Sequence, residues 1–96
     1  MPILITYDVD TTTKAGEKRL RKVAKECVNY GQRVQNSVFE CLLTDAQLIG
    51  LKAILSSIID DTKDSIRFYF LGNNWQRKIE TLGKITSFDP TDTMII

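Results

Sequence analysis

The hydrophobic pattern of this chain changes period several times, and each change marks an element. Ile3-Leu4-Ile5-Thr6-Tyr7-Asp8-Val9 is β-branched and aromatic and runs into Asp10-Thr11-Thr12-Thr13, a cluster of capping residues. It reads as a buried strand ending at two carboxylates. From Lys14 to about Tyr30 the spacing turns helical: Leu20, Val23, Ala24, Cys27 and Val28 recur at three- and four-residue steps, and Gly31 stands where a helix C′ residue would. Gln32 to Leu43 returns to β formers, broken near Asn36-Ser37, which predicts a short strand, a tight turn or bulge, and a second strand from Val38. Thr44-Asp45-Ala46-Gln47 has the form of a capping box, and Leu48, Leu51, Ile54, Leu55, Ile58 and Ile59 draw the stripe of a second helix. After a loop at 60–64, Ile66, Phe68 and Phe70 alternate with Arg67 and Tyr69 in the clearest strand of the chain. Beyond it, Trp75 to Leu82 predicts a short helical turn closed by Gly83, residues 85–88 a further short strand, and Thr93-Met94-Ile95-Ile96 an apolar end of strand character.

The order β-α-β-β-α-β predicts an α+β chain of the ferredoxin-like kind, a four-stranded antiparallel sheet with both helices on one face, with an extra C-terminal strand at 92–96. The strands carry apolar or aromatic residues at both parities, so the bare face of such a sheet needs cover. A second copy of the chain is the simplest supplier, and the expectation is a two-fold homodimer with the C-terminal strand packed at its interface.

Composition sharpens this. Ninety-six residues, 43% hydrophobic and 26% charged, predict a single folded domain over 1–96. No apolar run approaches the length of a membrane span and no basic stretch precedes an apolar one at Met1, which predicts a cytoplasmic protein without membrane contact. The two cysteines, Cys27 and Cys41, fall in apolar periodic segments and read as buried free thiols. The absence of histidine excludes Ser-His-Asp and Cys-His catalysis and imidazole-bound zinc. Chemistry must then rest on carboxylates, lysine, tyrosine or serine, and carboxylates suit a hard cation such as magnesium.

The formal charge of +1 conceals an uneven distribution: residues 14–33 carry +5, with Lys14, Lys18, Arg19, Arg21, Lys22, Lys25 and Arg33 against only Glu17 and Glu26. Such clustering favours a polyanionic partner, although a solvated helix face that binds nothing has the same pattern. Asp8 ends the first strand and Asp10 follows two residues on, so continued strand geometry would point both the same way as a cation site; a two-fold axis past the strand end would add a second Asp8. Equally, the pair would merely end the strand and cap the helix. Tyr7 reads as a core ring or a supporting hydroxyl, and Ser37 as a turn residue or a supporting one. Trp75 with Arg77 and Lys78 reads as a stacking patch or as core.

Taken together, Tyr7-Asp8-Val9, the basic helix, Tyr30-Gly31-Gln32-Arg33-Val34-Gln35-Asn36-Ser37-Val38-Phe39-Glu40 and Ile66-Arg67-Phe68-Tyr69-Phe70-Leu71 resemble the second family of CRISPR-associated proteins, small metal-dependent endonucleases of spacer acquisition. The resemblance spans nearly the whole chain, and the Asp-Thr-Met-Ile-Ile ending resembles the type I-C subtype. It implies a homodimer in which Asp8 of each protomer holds magnesium or manganese at the interface, with Tyr7, Ser37 and Phe39 in support and Asp10 a weaker candidate ligand. It also implies cleavage of RNA or double-stranded DNA, and a dimer that bridges two dimers of the CRISPR integrase. Lys14, Lys18, Arg19, Lys22 and Arg33 become the phosphate-contacting residues. The alternative function is a non-catalytic scaffold that positions duplex DNA for the integrase. A ferredoxin-like RNA-binding module is a third reading, and it would need an exposed aromatic platform.

Overall fold

The computed structural model describes residues 1–72 and 78–84 of the chain. Its elements run β1 (Pro2–Asp8), α1 (Lys14–Val28), β2 (Gly31–Gln35), β3 (Val38–Leu42), α2 (Asp45–Ile58), β4 (Ser65–Phe70) and β5 (Lys78–Gly83). They form one antiparallel sheet in the order β2-β3-β1-β4-β5, so β1 lies at its centre, paired on one side with β3 and on the other with β4. This is the α+β, ferredoxin-like arrangement with one strand added at the β4 edge.

Alternation divides the sheet into two unlike faces. Ile3, Ile5 and Tyr7 of β1, Phe39 and Cys41 of β3, and Ile66 and Phe68 of β4 are buried in one cluster with Val23 and Cys27 of α1 and Leu48, Leu51 and Leu55 of α2. Both helices therefore cover the same face. The opposite parity holds Leu4, Thr6 and Asp8, then Glu40 and Leu42, then Ser65, Arg67 and Tyr69; none of these is buried, and Leu42 is 76% exposed.

Local chemistry accounts for the ends of the helices. Thr13 caps α1, its hydroxyl accepting from the Gly16 amide at 3.0 Å, and Thr44 with Gln47 closes a complete capping box on α2. Within the helical stripes, Val28 and Ile54 fall at the exposed margins and not in the core. The β2–β3 hairpin turns at Asn36-Ser37, where the break was expected, and the register slips earlier, between Arg33 and Gln35.

Two expectations are corrected. Residues 78–83 form strand β5, not the end of a helical turn: Phe68 pairs with Glu80, and Lys52 of α2 bonds the Glu80 carboxylate, so an edge strand with only weak alternation is secured by its neighbours. Gly31 is not a helix C′ residue. The cap is Asn29, and Gly31 opens β2 where an added Cβ would strike the Glu40 carbonyl oxygen and the Cys41 sulfur, so close strand approach is what requires glycine. The proposed strands at 85–88 and 92–96, with Trp75 and Arg77, lie outside the described residues. Among the described residues no helix is long and apolar enough to cross a membrane.

Candidate functional site

Asp8 closes β1 at the centre of the sheet. Its parity places the side chain on the open face, where it is exposed, and its antiparallel register sets it opposite Ser65. A concavity of about 270 Å³ is lined by Thr6, Tyr7, Asp8, Ser65, Arg67 and Tyr69. Among the described residues Asp8 is the single carboxylate there, flanked by hydroxyl groups and a guanidinium.

The three residues named as supports of Asp8 pack behind the end of its strand. The Tyr7 ring is buried, stacks on Phe39 at 6.1 Å between centroids, and donates its hydroxyl to the Asn36 carbonyl at 3.3 Å. The Tyr7 amide donates to the Ser37 carbonyl at 3.1 Å. Burial raises the Tyr7 pKa, so this phenol stays neutral at physiological pH. Tyr7 and Phe39 are thus core residues and Ser37 a turn residue, each anchoring the end of β1 through the hairpin.

Asp10 does not join Asp8. The strand ends at Asp8, and the Asp10 carboxylate turns back to accept from the Thr12 amide at 2.9 Å and its hydroxyl at 2.7 Å. The hydrogen bond from the Thr12 side chain, then that from its backbone, lowers the Asp10 pKa. The Asp-x-Thr turn gives one oxygen of this carboxylate a local partner and turns it away from the strand direction of Asp8. Among the described residues no three His, Cys, Asp or Glu side chains gather as a metal site. Asp8 with the Thr6 and Ser65 hydroxyls is an all-oxygen donor set of the kind magnesium takes, but one carboxylate is only part of a shell.

The basic residues divide into two groups. Lys14, Lys18 and Lys22 lie at four-residue steps on the outward side of α1, all exposed, with Arg21 and Lys25 on the same stripe. Arg33 is also exposed and lies over the Phe39 ring at 5.2 Å, on the helical side of the sheet. Arg19 is different. Its side chain is only 17% exposed, and its guanidinium forks onto Asp64 at 2.7 and 3.3 Å. That engagement raises the Arg19 pKa and sets Arg19 apart from the exposed lysines of the stripe.

Asp64 is the functional-looking residue that pattern reading missed. It is fully buried, and besides Arg19 it accepts from the amides of Asp10 and Asp60, each at 2.9 Å. Burial pushes its pKa up, yet the hydrogen bonds from Arg19, Asp60 and Asp10 outweigh this and hold the carboxyl below its ordinary range. The only available signal was a repeat: Asp60-Asp61-Thr62 closes the same turn as Asp10-Thr11-Thr12, and Asp64 lies between the two loops and ties them together.

Residues 1–79 match the family described as CRISPR associated protein Cas2. The chain is 58% identical to the CRISPR-associated endonuclease Cas2 of Halalkalibacterium halodurans over 99% of each chain. It is 51% identical to the CRISPR-associated endoribonuclease Cas2 of Chlorobaculum tepidum over the full length of both. A crystal structure of Streptococcus pyogenes Cas2 superposes with a TM-score of 0.72 at 65% identity, covering 86% of this chain and all of that one.

Proposed function

The chain belongs to the Cas2 family of CRISPR-associated proteins, and from that premise we propose that it is a magnesium-dependent endonuclease of CRISPR adaptation, acting in the prokaryotic cytoplasm as a homodimer. The relatives are named endonuclease in one case and endoribonuclease in another, so nuclease is the class they share and both RNA and double-stranded DNA are substrates to test. The observation that carries the reading is Asp8: an exposed carboxylate at the end of the central strand, beside a polar concavity in which, among the described residues, no second acid lines the wall to complete a metal shell. A second copy on the open face supplies the matching Asp8. Magnesium or manganese bound there would activate water and neutralise charge at the scissile phosphate. Asp8 holds the ion, the Tyr7–Asn36 and Tyr7–Ser37 bonds keep the strand end in place, and Lys14, Lys18, Lys22 and Arg33 contact phosphates along the nucleic acid. The same basic surfaces seat spacer DNA while the dimer bridges two integrase dimers.

The lysine stripe on α1 favours a second reading, a DNA-holding scaffold in which cleavage plays no part. One experiment separates the two: purified protein incubated with labelled duplex DNA and with RNA, with and without magnesium, beside Asp8→Asn. Cleavage that requires both the metal and Asp8 is the expected result. Duplex binding without cleavage in the wild type establishes the scaffold.

A further inference from the structure

On the open face, Arg67 has no partner among the described residues that explains it. It is half-buried in β4, paired across the sheet with Thr6 and diagonal to Asp8, and among the described residues it takes part in no ion pair. Asp8 is therefore a diagonal neighbour, about 7–8 Å away in the register, yet the two form no ion pair among the described residues. The concavity lies between and around them, rimmed by the hydroxyl-bearing side chains of Thr6, Ser65 and Tyr69. Arginine's planar fork matches the non-bridging oxygens of a phosphate in pairs, and a guanidinium held by a rigid sheet loses little freedom on binding one. Arg19 supplies the internal contrast, because its fork is already filled by Asp64.

From this juxtaposition we infer that Arg67 is the phosphate clamp of the site, seating a phosphate group of the substrate in the concavity next to Asp8. The inference rests on the nuclease reading for the identity of the substrate and on the geometry of the open face for the binding itself. Asp8 takes the cation and Arg67 the anionic oxygens, so a phosphodiester is held from two sides with its phosphorus adjacent to the carboxylate end of β1. Among the described residues Asp8 is the one acidic side chain lining the concavity, and Arg67 its one basic group.

Two measurements test it with separate failure modes. In the first, millimolar inorganic phosphate is titrated into isotope-labelled protein, and amide shifts at Thr6, Asp8, Ser65, Arg67 and Tyr69 are followed. Saturable shifts that disappear in Arg67→Gln and persist in Arg67→Lys are expected; shifts absent from the wild type, or retained in Arg67→Gln, overturn the inference. In the second, Arg67→Gln should lower kcat for nucleic-acid cleavage by about a hundredfold, with Arg67→Lys recovering part of the loss and the oligomeric state unchanged. An Arg67→Gln variant that cleaves as the wild type does, or that falls to monomer, overturns it, the latter because Arg67 would then pair across an interface. Should the wild type cleave nothing, the nuclease reading fails while the phosphate titration still decides Arg67.

Discussion

Each side of this sheet carries an aspartate and an arginine, and the two sets have opposite fates. On the helical side, Asp64 and Arg19 are joined at 2.7 Å, and Asp64 has its remaining valences filled by two loop amides. On the open side, Asp8 and Arg67 share a concavity, and neither has a protein partner among the ion pairs of the described residues. The residue types are the same, so composition cannot separate them. Satisfaction separates them: a carboxylate with every acceptor position filled holds loops in place, whereas one left open can bind something from outside. The closed set also serves the open one, because Asp64 grips the Asp10 amide two residues beyond Asp8 and Arg19 of the basic helix.

The largest effect expected from breaking this contrast is on stability. Asp64→Ala leaves a guanidinium and two amides without their acceptor and should cost about 3 kcal/mol in urea unfolding, whereas Asp8→Asn, on an exposed side chain, should change stability by less than about 0.5 kcal/mol. Equal costs for the two would erase the distinction between the faces. The same distinction has a pH signature. The folded Asp64 carboxyl titrates below its ordinary 3.8, so its stabilisation is complete above that value and is lost as pH falls through the folded pKa. The wild-type urea midpoint should drop steeply below about pH 4, and Asp64→Asn should show a shallower fall over the same range.

Next in size is assembly. Leu42 is the most exposed large apolar residue of the open face, and a second copy covering that face would bury it. Leu42→Glu should convert a dimer at micromolar concentration to a species of 10.9 kDa by light scattering, with little change in the unfolding of each chain. A wild-type mass of one chain under those conditions would remove the second Asp8 from the site.

A smaller and graded effect is expected on nucleic-acid binding. Lys18→Glu with Lys22→Glu should abolish duplex binding at low salt and keep the fold, since both residues are exposed and off the apolar stripe. Single neutralisations at Lys14, Lys18 or Lys22 should each reduce the log-log salt slope by about one, the value for one phosphate contact. Arg19→Gln should act chiefly on stability, and a change in slope without loss of stability would return Arg19 to the contact surface. The smallest effect is a silence: burial pushes the Cys27 thiol up to about 12 and raises Cys41 as well, so a thiol reagent at neutral pH should label neither until the protein unfolds.

Much of this protein was determined by its sequence. Period-two and helical spacing placed the two helices and four of the five described strands, because burial of one face enforces those periods wherever an element packs. Capping at Thr13 and Thr44 was legible for the same local reason, as hydroxyls that accept from amides three residues on. Asp8 was legible as a carboxylate ending an apolar strand. What only the tertiary structure decided is which charged groups are spent and which are left over. Strand β5 alternates too weakly to be seen without Glu80 reaching Lys52 of α2. Arg19 looks like any other cation of its helix until Asp64, 45 residues away, fills its fork. Asp10 appeared to extend the site of Asp8 until the strand stopped and Thr12 took its carboxylate. Arg67 was simply the polar half of an alternating strand until pairing with β1 set it across from Thr6 and diagonal to Asp8. Periodicity records a residue's face, but a charge takes its role from the partner it meets in space, and in each of these cases that partner is fixed by how the chain folds around it and not by the hydrophobic period.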